Sequence, residues 1–135
     1  MKELNIEAKT ENLDDVLAFV NSELESFGCG MKQQMQIELS VEEIFVNIAH
    51  YAYTPNIGMA IIRVDVDETN TAILTFIDSG IPYNPLEKAD PDITLSADER
   101  QIGGLGIFMV KKNMDEVIYE HKDGQNILTL KKKLG

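Results

Sequence analysis

The chain has 135 residues, 44% of them hydrophobic and 26% charged, with 12 Lys and Arg against 23 Asp and Glu for a net charge of −11. That length admits one domain with its own core, and the composition excludes disorder. The negative balance excludes sequence-independent nucleic-acid binding and docking on an anionic membrane, both of which need Lys and Arg.

No apolar run approaches the ~18 residues of a membrane span. Met1-Lys2-Glu3-Leu4-Asn5 lacks the apolar core of a signal peptide. Cys29 is the only cysteine, which excludes an intrachain disulfide and a cysteine-based zinc site. A reduced, cytoplasmic domain is expected.

Leu4, Ile6 and Ala8 alternate and predict an edge strand. Asn12 is placed to cap a helix carrying Val16, Leu17, Val20 and Leu24, which Gly28-Cys29-Gly30 would end. A second helix is predicted from about Met31 to Tyr53, stopped before Pro55, with Ile37, Val41, Ile44, Phe45, Ile48 and Ala52 on one face. Ile62, Val64 and Val66, a turn at Asp67-Glu68-Thr69-Asn70, then Ala72, Leu74 and Phe76 predict an antiparallel hairpin over 59–78. Residues 79–102, with Pro82, Pro85 and Pro91, show no period. A helix carrying Leu105, Phe108, Met109 and Lys112 follows. The chain closes with a hairpin turning at Asp123-Gly124. Lys131-Lys132-Lys133 reads as a charged strand edge and tail. Strands flanking the middle helices predict an α+β sandwich, one helical layer on a mostly antiparallel sheet.

Three patterns carry chemistry. On the second helix, Glu43 and Asn47 lie one turn apart and reach one small site. The amide oxygen of Asn47 can ligate Mg²⁺, and the Glu43 carboxylate can deprotonate a hydroxyl. Alone, such a pair marks a solvated helix face more often than a site. Asp78-Ser79-Gly80 ends the hairpin strand, where a carboxylate can accept from an exocyclic amine. Alone it is more often an ordinary strand-ending turn. Gly103-Gly104-Leu105-Gly106 opens the third helix and exposes backbone N–H groups to a phosphate, or makes a plain loop-to-helix turn.

Together these patterns resemble the Bergerat-fold ATPases, and within them the bacterial anti-sigma-factor serine/threonine kinases. The likeness rests on Glu42–Tyr53, on Asp78–Pro85 and on Ile102–Val110, with Met114–Val117 and Asn126–Leu130 fitting as well, and it covers nearly the whole chain as one domain, 1–135. The resemblance implies a two-layer α+β sandwich with a mostly antiparallel mixed sheet and about three helices. It implies ATP and Mg²⁺ as cofactors, Glu43 as base, Asn47 as Mg²⁺ ligand and Asp78 with Gly80 at adenine. It further implies Thr129 supporting adenine, Gly103, Gly104, Leu105 and Gly106 at the phosphates, and an ATP lid over about 80–102. Arg100 in that lid is either a phosphate partner or a solvated side chain. Pro82 stands where the family's aspartate box usually has its second glycine, which stiffens the start of the lid. The implied function is phosphorylation of a small STAS-domain antagonist, in alternation with holding a sigma factor, by a protein that dimerises through its helical layer. The alternative is a non-catalytic module that sequesters a protein partner.

Overall fold

The computed structural model describes residues 1–87 and 104–134, with only the backbone of Gly104 and Leu105. The expected lid beyond residue 87, with Arg100 and Gly103, lies outside the described residues. Strand β1 (Lys2–Glu7) leads to helix α1 (Leu13–Ser26) and helix α2 (Met31–Asn47). Strands β2 (Met59–Val66) and β3 (Thr71–Asp78) form the first hairpin, helix α3 (Gly104–Asn113) follows, and β4 (Glu116–Lys122) and β5 (Gln125–Lys133) form the second. The five strands run in the order β1-β2-β3-β5-β4, and every pairing is antiparallel.

Alternation sets the two faces of the sheet. Ala60, Ile62 and Val64 of β2, Ala72, Leu74 and Phe76 of β3, and Leu128 and Leu130 of β5 are buried against the helices. From above, α1 contributes Val16, Val20 and Leu24, and α2 contributes the predicted face from Ile37 to Ala52. Each fully buried side chain of the size of Phe45 or Leu74 adds about 1.5–3 kcal/mol of transfer free energy. Helix α2 packs against both α1 and α3 and is the middle of the helical layer. Helix α3 buries Ile107 and Val110, whereas Met109 is exposed.

Two local expectations change. Asn12 does not cap α1; its Nδ2 donates to the Glu7 carbonyl at 3.0 Å and ties the helix start to β1. Helix α1 ends as predicted: Gly28, at φ +73°, lets Gly28 N–H reach Glu25 O and Cys29 N–H reach Leu24 O. Lys131-Lys132-Lys133 belongs to β5, which lies inside the sheet between β3 and β4, so these lysines do not guard an edge. The edge strands are β1 and β4.

Candidate functional site

Helix α2 does not stop at Asn47. Its last turn widens into a π-helical turn, Ile48–Ala52, a local form that gathers at functional positions. The wide turn leaves the Ala52 carbonyl without a helical partner, and Ile81 N–H donates to it at 3.0 Å. Gly80 makes this approach possible, since a Cβ there would lie 2.2 Å from the Ala52 oxygen. Gly80 therefore seats the chain against the end of α2. Tyr53 fixes the same corner, accepting from Ser79 N–H and donating to Met59 O, both at 2.7 Å.

Asp78 ends β3 under this corner and is 7% exposed. Its Oδ1 accepts from Gly80 N–H and from Asn126 Nδ2, each at 2.9 Å. Its Oδ2 has no hydrogen bond among the described residues and is the oxygen left for an occupant. Asn126 is the register partner of Asp78 on β5. Besides Asp78, its Nδ2 donates to Ile81 O at 2.8 Å, and its Oδ1 accepts from Tyr83 N–H and from the Tyr119 hydroxyl. One buried amide thus joins the carboxylate to the segment that leaves β3.

A cavity of about 50 Å³ lies here, lined by Asn47, Ile48, Phe76, Asp78, Tyr83 and Asn126 among others. Ligand pockets span roughly 300–1,000 Å³. Ile81, Tyr83 and Pro85 are among its lining residues, and a purine requires the lining to rearrange.

Thr129 is not at the cavity. Asn126, Leu128 and Leu130 are the buried, helix-facing residues of β5, so Thr129 lies on the opposite face, in register with Thr75 and Ile118. The place expected for Thr129 beside Asp78 is held by Asn126. Strand alternation carried this signal: with Leu128 and Leu130 inward, residue 126 is inward and residue 129 is not. Sequence reasoning also missed Tyr53 and Tyr119.

Glu43 and Asn47 are brought together as expected, Asn47 Nδ2 donating to Glu43 Oε1 at 3.3 Å. Asn47 lines the cavity. Glu43 lines a second depression of about 400 Å³ between α2 and α3, with Leu39, Ser40, Gly106 and Met109. The Glu43–Asn47 bond therefore runs between the two spaces. Gly106 packs against the carboxylate, since a Cβ on it would lie 2.0 Å from the Glu43 carboxyl carbon. Burial pushes the Glu43 carboxyl up, the Asn47 hydrogen bond pulls it part of the way back, and the Glu42 charge raises it further. Helix α3 begins at Gly104, so Gly104, Leu105 and Gly106 form its first turn, whose N–H groups have no helical acceptor.

This donor set fits a metal held by a nucleotide. Asn47 lines the cavity and its NH₂ donates to Glu43, so its carbonyl oxygen, a hard ligand, is the group that could take a cation. Among the described residues no cluster of three His, Cys, Asp or Glu could cage a cation by itself. No helix among them is long and apolar enough to cross a membrane.

The chain is similar to several known proteins. A serine/threonine-protein kinase, BtrW, of Bordetella bronchiseptica is 32% identical over 95 residues, 70% of this chain and 66% of that protein, so the match spans just under two thirds of it. A serine-protein kinase, RsbW, of Bacillus mycoides is 23% identical over 133 residues, 96% of this chain and 82% of that protein. The crystal structure of the RsbU and RsbW domains of a Mycobacterium tuberculosis protein superposes with a TM-score of 0.68 at 16% identity, over 99% of this chain and 33% of that one. The histidine kinase domain of a blue-light activated kinase from Erythrobacter litoralis superposes with a TM-score of 0.56 over 93% of this chain and 60% of that one. The histidine kinase-like ATPase domain matches residues 6–132, and the chain belongs to that family.

Proposed function

We propose that the protein is an ATP-dependent serine/threonine protein kinase and anti-sigma regulatory factor, which phosphorylates a small STAS-domain antagonist and otherwise holds a sigma factor. The observation that carries this reading is the Glu43–Asn47 hydrogen bond between two spaces. Asn47 and the Asp78 carboxylate line one cavity, and Glu43 lines an open groove where a protein hydroxyl can arrive. The relatives named as serine or serine/threonine kinases support it.

In this reading Asp78 Oδ2 accepts from the exocyclic amine of adenine, while Asn126 holds Oδ1 and fixes the carboxylate plane. The first turn of α3 offers its free N–H groups to the phosphates. Asn47 holds Mg²⁺ through its carbonyl oxygen, and the ion when bound neutralises charge on the phosphates. Glu43 accepts the proton of the acceptor hydroxyl, and its raised pKa suits it to that task. Gly106 and Asn47 keep its carboxylate in place. The cell compartment proposed is the cytoplasm.

The test is incubation with γ-labelled Mg·ATP and candidate STAS-domain proteins. Label on a serine or threonine of the partner supports the reading, and label that never leaves ATP under conditions where calorimetry detects nucleotide binding overturns it. One observation favours a second reading, a non-catalytic module that sequesters a protein: the cavity beside Asp78 holds only about 50 Å³. Absence of nucleotide binding in the same calorimetry, with retained capture of a sigma factor, would select it.

A further inference from the structure

The groove beside Glu43 is built by two helices. Helix α3 contributes Gly106, Met109, Val110 and Asn113, whose i, i+3, i+4, i+7 spacing is one stripe of a helix. Helix α2 contributes Leu39, Ser40, Glu42 and Glu43. At about 100° per residue, Glu42 and Glu43 stand one turn along from Leu39 and to either side of it. Ser40 and Val110 are buried, whereas Leu39 is 55% and Met109 45% exposed. The groove holds about 400 Å³, within the roughly 300–1,000 Å³ of ligand sites. Exposed apolar side chains gathered at one concavity mark a place for another molecule's apolar group.

The charge there has one sign. Glu42 and Glu43 are the acidic residues among the described lining, and no Lys, Arg or His is among it. Glu42 is exposed and has no ion-pair partner among the described residues. The chain as a whole carries −11, so the wider field does not offset these two charges. A cation is the complement this groove lacks.

Its spacing bounds where that cation sits. A helix with its side chains is about 10–12 Å across, which limits the separation of carboxylates on neighbouring residues. An extended chain advances about 3.3 Å per residue. A segment with its hydroxyl at Glu43 therefore reaches Glu42 with a side chain within about three residues of that hydroxyl.

We propose that the groove selects an acceptor segment of a partner protein in which the serine or threonine has a Lys or Arg within about three positions and a large apolar side chain beside it. Glu42 reads the cation, and Leu39 with Met109 takes the apolar group. The inference rests on the kinase reading for the identity of the hydroxyl, while the choice of cation and apolar group is a matter of binding. Glu42 is thereby a specificity residue on the acceptor side and has no part in holding nucleotide.

Fluorescence anisotropy tests it, with the full chain and short labelled serine peptides that carry Leu next to the serine and a single Lys walked along an Ala and Gly background. Binding is expected to be tightest with Lys within about three residues of the serine, and to weaken about fivefold or more when Glu replaces that Lys. Glu42→Lys is expected to invert this order, so that the Glu peptide binds better, a reversal that a damaged fold does not produce. Glu68→Lys makes the same change of net charge at the exposed turn between β2 and β3 and is expected to keep the native order. Peptides that bind alike whatever their charge overturn the proposal. So does an order that Glu68→Lys inverts as readily as Glu42→Lys, or no peptide binding up to millimolar concentration. Label from γ-labelled Mg·ATP is read on the same peptides. A cation preference in binding with no label on any serine supports the groove's selectivity and counts against the kinase reading alone, and label without preference does the reverse.

Discussion

Gly106 leaves the space that the Glu43 carboxylate fills: a Cβ at Gly106 would lie 2.0 Å from the carboxyl carbon and 2.0 Å from Oε1. A glycine that begins as a phosphate candidate in the sequence is, in the fold, the seat of the Glu43 carboxylate. Gly106→Ala is expected to push aside the end of a flexible side chain rather than break the packing of α3. Phosphotransfer should fall by about 10²-fold or more, as general-base catalysis contributes on that order. Nucleotide affinity should change far less. Single-turnover kinetics with calorimetry separates the two, and equal transfer rates would remove Glu43 from the reaction.

Glu43 also predicts a pH dependence. Burial raises its carboxyl above the usual carboxylate range, so the folded state binds that proton more tightly than the unfolded chain does. The stability this proton lends is fully present below about pH 4.3 and is lost as pH rises through the raised folded value. Glu43→Gln is therefore expected to melt at a higher temperature than the native protein at pH 7, with the difference shrinking toward pH 4. A variant melting lower at pH 7 would contradict the sign. In the native enzyme the transfer rate should rise with pH through that same raised value.

Asn126→Ala removes the amide shared by Asp78, Ile81 and Tyr83. Losing buried hydrogen bonds of this kind is expected to lower unfolding free energy by about 1–3 kcal/mol in chemical denaturation. Amide exchange should speed at Tyr83, whose N–H donates to Asn126, more than at Ile81, whose N–H donates to Ala52. Equal protection at both would show that the amide does not hold the segment.

Much of this fold was legible in the sequence because single faces had to be buried. The α2 stripe from Ile37 to Ala52 and the two hairpins follow from periods of 3.6 and 2 and from the Asp67 and Asp123-Gly124 turns. Helix α3 was less legible, being apolar on most sides: Leu105, Phe108 and Met109 compete with Ile107 and Val110, and only packing against α2 chooses. The Glu43–Asn47 pair is local and was readable. Asn126 was not, because its role depends on pairing with a residue 48 positions earlier. Thr129, placed at adenine by the family resemblance, lies on the other face because strand alternation turns it away from Leu128 and Leu130.

Leu39 stands 55% exposed at the rim of the groove beside Glu43. Leu39→Asp is expected to raise KM for the acceptor protein about tenfold, on the scale of losing one apolar contact, while leaving nucleotide affinity unchanged. Unchanged acceptor kinetics would move the docking surface elsewhere.

The clasp at Asn126 has one more consequence. The same NH₂ group holds the Asp78 carboxylate on one side and the Ile81 carbonyl on the other. Whatever draws Asp78 toward a base must retune the grip on the peptide running outward from the pocket. Occupancy would thereby be reported along the chain itself, with no separate sensor required.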